Sequence, residues 1–169
     1  MLTTLRRLKN ALVWLLELTV IVLVAGLVAD VLWQVFTRYA LRRPSSWTDE
    51  LATLLIIWVA LLGSSVAFIR QSHLGVDVLV SKLAPPARAW VDLAVHLLIA
   101  LFAAAILIVG GLKLMALAFL TDQVSPALGL RMGQVYLALP LSGGFIFVFA
   151  LETMAECAMT LHRLRKEGL

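Results

Sequence analysis

Four long apolar stretches constrain the fold of this 169-residue chain more than any other feature of its sequence. The hydrocarbon core of a bilayer is about 30 Å thick, so a helix that rises about 1.5 Å per residue crosses it in about 20 residues. None of the stretches alternates as a membrane β-strand does. The sequence predicts an all-α integral membrane protein, one membrane domain over 1–169. Its four transmembrane helices are expected at about residues 12–36, 51–69, 91–117 and 135–154.

The composition agrees with a membrane location. Hydrophobic residues make up 62% of the chain and charged residues 14%, whereas about a quarter of a soluble domain is charged. The first apolar stretch exceeds the roughly 7–15 residues of a signal-peptide core, so we expect it to remain as a span. Cys157 is the only cysteine, which excludes an internal disulfide and a thiolate metal cage.

A shorter segment of a different kind lies between the second and third spans, at about residues 75–83. Its apolar residues, among them Val76 and Leu79, are interleaved with polar ones such as Asp77. The segment is too short to span, so the pattern predicts an amphipathic helix that lies at the membrane interface. The third connection, 121–133, contains one proline and two glycines, and we expect an irregular loop there.

The orientation follows from the distribution of Lys and Arg, which accumulate on the cytoplasmic side of membrane proteins. Both termini and the amphipathic connection are therefore predicted to be cytoplasmic, in a multi-pass protein of the bacterial inner membrane. Because the basic residues sit at span ends, the net charge of +4 indicates contact with membrane lipids and no binding of nucleic acid. That side carries Arg6, Arg7, Lys9, Arg70, Lys82, Arg88, Arg163, Arg165 and Lys166; the other carries Arg38, Arg42, Arg43, Lys113 and Arg131.

The spans offer few groups for chemistry. The centres of the first three, around Val24, Trp58 and Ala103, carry no charge, although a translocation path usually needs polar groups there. This argues against a subunit that transports by itself. The ionisable residues of the spans lie toward their ends, where side chains can reach the headgroups: Glu17, Asp30, Lys113 and Glu152.

Cofactor and catalytic motifs are not apparent either. His73, His96 and His162 fall at different membrane depths, whereas a haem needs axial ligands at one depth. The chain has no Ser-His-Asp spacing, phosphate-binding glycine loop or HExxH motif. We therefore expect no enzyme activity, no metal site and no cofactor.

The densest polar cluster flanks the hairpin between the first two spans. Arg38 ends the first helix, and Trp47, Asp49 and Glu50 begin the second. One hypothesis is that Arg38 pairs with Glu50 or Asp49 and holds the two helices in register, since charges of opposite sign lie at one depth. The alternative is that all of these side chains are solvated interface charges.

Two further features indicate helix packing. Trp58, near the middle of the second span, shares a face with Leu54 and Leu62, and Gly63 lies beside it. We expect this face to pack against another helix, of this chain or of a partner. In the fourth span, Pro140 precedes Gly143-Gly144; a kink or a close helix contact is favoured there over carbonyls opened for a cation.

These residues also carry a family resemblance. The sequence resembles the small, DctQ-type permease subunit of tripartite ATP-independent periplasmic (TRAP) transporters over nearly its whole length. The most specific part is the first hairpin; the last span looks like that family's last helix. The matching positions are Trp47-Thr48-Asp49-Glu50-Leu51-Ala52, Trp58, Gly63, Ala67, His73, Val76 and Asp77, then Gln134-Val135-Tyr136 and Pro140-Leu141-Ser142-Gly143-Gly144.

The resemblance implies partners that the residues alone do not. A large DctM-type permease subunit would hold the substrate and sodium sites, and a periplasmic substrate-binding protein would deliver a small organic acid. The small subunit would scaffold the large one and bind no substrate itself. Its hairpin and assembly residues would be Arg38, Trp47, Asp49, Glu50, Trp58 and Gly63, and its cytoplasmic interfacial residues His73, Val76, Asp77 and Leu79.

Two other functions fit a small four-helix membrane protein. A membrane anchor for a redox enzyme would need paired histidines or a quinone pocket, and neither can be assembled here. A small self-sufficient dimeric exporter usually has a carboxylate deep in its first span, whereas Asp30 lies near an end.

Overall fold

The protein is described by a computed structural model over residues 2–43, 45–70 and 85–166. Apart from one isolated β-bridge, the regular structure in these ranges is helical. The predicted interfacial helix at 75–83 lies outside the described residues, as do His73, Val76, Asp77 and Leu79. The helices are α1 (Leu2–Tyr39), α2 (Ser46–Ile69), α3 (Pro85–Phe102), a π-helical segment (Ala103–Gly110), α4 (Gly111–Leu120), α5 (Met132–Val135) and α6 (Ala138–Lys166).

Four helical units in the described ranges are long and apolar enough to cross a membrane: Lys9–Tyr39, Ser46–Ile69, Trp90–Leu120 and Met132–Met159. The predicted all-α fold with four spans is confirmed. The first and third units each contain 31 residues, or about 46 Å of helix, more than the bilayer core of about 30 Å. These two helices must therefore tilt or project beyond the core.

The four units run alternately up and down. One end of the bundle holds the start of α1, the end of α2, the start of α3 and the end of α6, and we call it the termini end. The other, the loop end, holds the connections 40–45 and 121–131. The helix α1 packs on α2, α2 packs on α6, and α6 packs on α3 and the π-helical segment.

Only a narrow stripe of α1 is turned toward the other helices. Its members recur at alternating intervals of three and four residues, which keeps them on one side of a helix. The rest of its surface is apolar and exposed, including Ile21, Val22 and Leu32. Such a surface suits lipid or another membrane protein. The stripe consists of Val13, Leu16, Val20, Leu23, Leu27, Asp30, Gln34 and Thr37.

A close helix contact joins α6 to the π-helical segment. A Cβ atom added at Gly143 would lie 2.6 Å from the Leu107 Cβ and 3.2 Å from the Ile108 backbone nitrogen, so only glycine fits. Gly144 has nothing within 4 Å of such an atom. The favoured interpretation of a close contact therefore applies to Gly143. Pro140 lies in the first turn of α6, where its missing N–H costs little.

The buried apolar core occupies the half of the bundle nearer the termini end. Small residues of the third unit allow the larger side chains of α2 and α6 to meet there. The core consists of Phe68, Ala100, Ala103, Ile146, Phe149 and Ala150.

Candidate functional site

Ion pairs join the helices at the termini end. The Lys9 Nζ lies 2.6 Å from the Glu152 Oε1 and 5.3 Å above the centre of the Phe149 ring, which connects α1 to α6. The Arg70 Nε donates to the Glu17 Oε1 at 2.6 Å, which connects α2 to α1. These carboxylates, expected to reach the headgroups, serve instead as contacts between helices.

At the loop end, Asp49 joins α2 to α1. The Gln34 amide donates to the Asp49 Oδ1, and the Arg38 Nη2 lies 3.9 Å from the same oxygen. Both members of the ion pair are more than half exposed, so we assign the pair little stability by itself. The structure thus places Arg38 beside Asp49, which was one of the two partners considered.

Glu50 points away from the hairpin and holds the connection between α4 and α5. Its Oε2 accepts the backbone N–H groups of Ala127 at 2.7 Å and Leu128 at 3.1 Å. Its Oε1 accepts the hydroxyl of Ser125, which is buried. The Arg38–Glu50 pairing is therefore not formed: the carboxylate satisfies backbone donors that a loop leaves free, and these are 75 or more residues away in the sequence.

The connection that Glu50 holds is the loop expected at 121–133, and between Leu120 and Met132 it contains turns and one isolated β-bridge but no regular helix or strand. The isolated β-bridge joins Val124 to Arg131, and the Ser125 N–H donates to the Leu130 carbonyl at 2.9 Å. Gly129 has a φ of +67°, a conformation that side chains rarely adopt. The turn is thus determined by backbone pairing, one glycine and a carboxylate from α2.

The other predicted assembly residues are only partly covered. Trp47 is 41% exposed at the start of α2, and Trp58 is half-buried in its middle. Leu54 and Leu62, from the same predicted face, are buried. A Cβ atom at Gly63 would meet nothing within 4 Å. The chain itself therefore fills only part of this face of α2.

Asp30 is a polar residue whose environment the sequence did not reveal. It was expected to reach the headgroups, but it is 7% exposed and lies on the buried stripe of α1. The reason is its register: it falls three residues after Leu27 and four before Gln34, both on that stripe. The 3–4 spacing of the stripe was the signal that could have placed it.

The described residues hold no group of three or more His, Cys, Asp or Glu side chains that could bind a metal ion. The His96 Nδ1 donates to the Asp92 carbonyl at 2.7 Å, and its ring lies 6.0 Å from that of Phe68. His96 also lines a cavity of about 60 Å³ beside Lys9 and Glu152. This cavity is too small for an organic cofactor, whose sites are usually several hundred Å³.

These features define a class: a small multi-pass membrane protein whose polar side chains mainly join its own helices and loops. The family model described as tripartite ATP-independent periplasmic transporters, DctQ component, matches residues 27–160. The sialic acid TRAP transporter small permease protein SiaQ of Vibrio cholerae is 31% identical over 136 residues, which cover 80% of this chain and 77% of that protein.

Two further relatives have related names. The C4-dicarboxylate TRAP transporter small permease protein DctQ of Rhodobacter capsulatus is 31% identical over 100 residues, or 59% of this chain and 44% of that protein. The isethionate TRAP transporter permease protein DctMQ of Oleidesulfovibrio alaskensis is 33% identical over 113 residues, or 64% of this chain and 17% of that protein.

The chain therefore belongs to the DctQ family and is a small permease subunit of a TRAP transporter in the inner membrane. This membership confirms the resemblance seen in the hairpin and last span. It also decides against the redox-anchor and self-sufficient exporter alternatives, and it assigns the chain to transport rather than to catalysis.

Proposed function

We propose that this chain scaffolds a large DctM-type permease subunit during cation-coupled uptake of a small organic acid. The observation that carries the proposal is the match to DctMQ, which covers 64% of this chain but 17% of that permease protein. A segment like this chain is thus a minor part of a longer permease polypeptide. The substrate and cation sites are expected in the remainder of such a permease, the DctM-type part.

The contacts of the polar side chains support a scaffold. Lys9 with Glu152, Glu17 with Arg70, and Arg38 with Asp49 each join two helices. Groups that are engaged with each other in this way stabilise an arrangement of helices and are less available to a passing substrate. A rigid small subunit would enlarge the part of the transporter that stays fixed in the membrane while the large subunit moves.

The substrate class rests on the relatives. Sialic acid, C4-dicarboxylates and isethionate, which appear in their names, are all organic acids and are anionic at neutral pH. We extend that class to the transporter of this chain. A periplasmic binding protein would deliver the acid at the loop end, which the Lys and Arg distribution orients toward the periplasm.

Co-purification tests the proposal. A tagged chain extracted from its native membrane in mild detergent should bring down a large multi-pass permease in a constant ratio. Recovery of the chain without such a protein would contradict the scaffold function.

A pair of glycine variants tests whether α2 forms the contact with the large subunit. Gly63→Phe should lower the recovery of the permease, because the open space beside Gly63 would be filled by the partner. Gly26→Phe on α1 is the matched control, since Gly26 also has nothing within 4 Å of an added Cβ atom. If the permease is recovered equally with both variants, Gly63 does not lie at the interface.

A further inference from the structure

Asp30 is a buried carboxyl group inside a membrane-spanning helix. It lies nine residues before the end of α1 at Tyr39, or about 13 Å along the helix axis. The residue is 7% exposed, and each of its carboxyl oxygens is closed off from the surface. Neither oxygen has a hydrogen-bond partner among the described residues.

The donors nearest along the helix serve another group. Gln34, one turn further along the same stripe, donates a hydrogen bond from its side-chain amide to Asp49, and Arg38 also lies near Asp49. From α2, Asp49 is the charged residue that acts on Asp30, and its charge has the same sign as an ionised Asp30. Glu50 is turned to the loop, and the next ionisable residue toward the start of α1 is Glu17, several turns away.

An ionised Asp30 would therefore be costly. A buried charge without a partner loses its hydration, and charged groups in this position usually become neutral instead. The negative Asp49 would add repulsion. A metal ion or a side chain from another protein does not reach the closed-off oxygens in this arrangement, whereas a proton adds almost no volume.

We propose that the α1–α2 hairpin contains a proton-binding site at Asp30, which carries a neutral carboxylic acid while the two helices are packed. Separation of α1 from α2 with entry of water between them at this level would hydrate the group and release its proton. Proton binding and hairpin closure are thus coupled, independently of the scaffold function proposed above. The Gln34–Arg38–Asp49 contacts close the hairpin one turn nearer its end.

Infrared spectroscopy of the full chain in lipid nanodiscs tests the site directly. A protonated carboxylic acid gives a C=O stretching band above the amide I region, which shifts in heavy water. We expect such a band at neutral pH and its loss in Asp30→Asn. The matched control is Asp122→Asn, which removes an exposed aspartate outside the hairpin and should leave the band unchanged.

A second measurement does not depend on the folding of any variant. In the unsubstituted chain labelled with ¹³C at the aspartate side-chain carboxyl groups, solid-state NMR should show one carboxyl signal at the shift of a protonated acid at neutral pH. Only ionised aspartate signals at neutral pH, or an acid band that persists in Asp30→Asn, would overturn the proposal.

Discussion

Neighbouring carboxylates at the start of α2 stabilise different parts of the molecule. Asp49 faces α1 through Gln34 and Arg38, whereas Glu50 accepts the N–H groups of a loop that follows α4. Successive residues of a helix point about 100° apart, so two adjacent side chains reach different neighbours. The hairpin and the connection between α4 and α5 are thereby joined through one turn of α2.

Replacement of Glu50 by Gln should loosen the loop. Glutamine keeps one acceptor oxygen but loses the charge, and hydrogen bonds to a charged acceptor are roughly twice as strong as neutral ones. We expect the amides of Ala127 and Leu128 to exchange with deuterium severalfold faster in the variant, as measured by hydrogen–deuterium exchange. Asp49→Asn is the control and should leave both exchange rates unchanged. Equal exchange rates in the wild type and in Glu50→Gln would show that the Glu50 carboxylate does not stabilise the loop.

The sequence predicted these residues only in part. The opposite charges of Arg38 and Asp49 lie on either side of a short connection, so their proximity could be anticipated. Two of the three partners of Glu50 are backbone N–H groups 77 and 78 residues away, and nearly every residue type has such a group; the third is the Ser125 hydroxyl, 75 residues away. For this reason no side-chain pattern indicated the contact.

Among the helices, the packing of α6 on the π-helical segment determines how closely the third and fourth spans approach. Gly143 meets Leu107 and Ile108, and one end of the same interface is formed by Gly111, where an added Cβ atom would lie 2.7 Å from the Leu139 Cβ. Small residues at such a contact bring backbones together, which increases dispersion contacts in a membrane. The contact therefore aligns the two spans.

A Cβ atom at Gly143 should separate the two helices. Gly143→Ala places that atom 2.6 Å from the Leu107 Cβ, an overlap that requires a backbone shift and should destabilise the fold by about 1–3 kcal/mol. Gly144→Ala is the matched control, with no neighbour within 4 Å, and should be neutral or slightly stabilising because alanine favours helix. Thermal unfolding followed by circular dichroism measures both, and equal melting temperatures would contradict the close contact.

The helices could be predicted from length and apolarity, because a bilayer requires both. The π-helical segment could not, since Ala103–Gly110 is as apolar and helix-compatible as the segments that flank it. Its geometry depends on the fit of Leu107 and Ile108 over Gly143, a contact between different spans. Periodicity within one helix contains no information about that fit.

At the scale of the whole molecule, the fold is four antiparallel spans joined by polar contacts at both ends. Glu17 contacts Arg70 at one end of the α1–α2 pair, Arg38 lies beside Asp49 at the other, and Lys9 contacts Glu152 between α1 and α6. Most of the surface of α1 remains apolar and exposed. A subunit built in this way presents a fixed framework to lipid and to a partner, which agrees with a small permease subunit.

Uptake by reconstituted proteoliposomes tests the central claim most directly. Vesicles would contain this chain alone, the co-purifying large permease alone, or both, with a sodium gradient and the periplasmic binding protein loaded with its radiolabelled organic acid. The account predicts that the organic acid accumulates in the vesicles only when both membrane subunits are present, because this chain supplies the scaffold and the large permease supplies the translocation path. Accumulation by this chain alone, or full uptake by the large permease without it, would contradict the account.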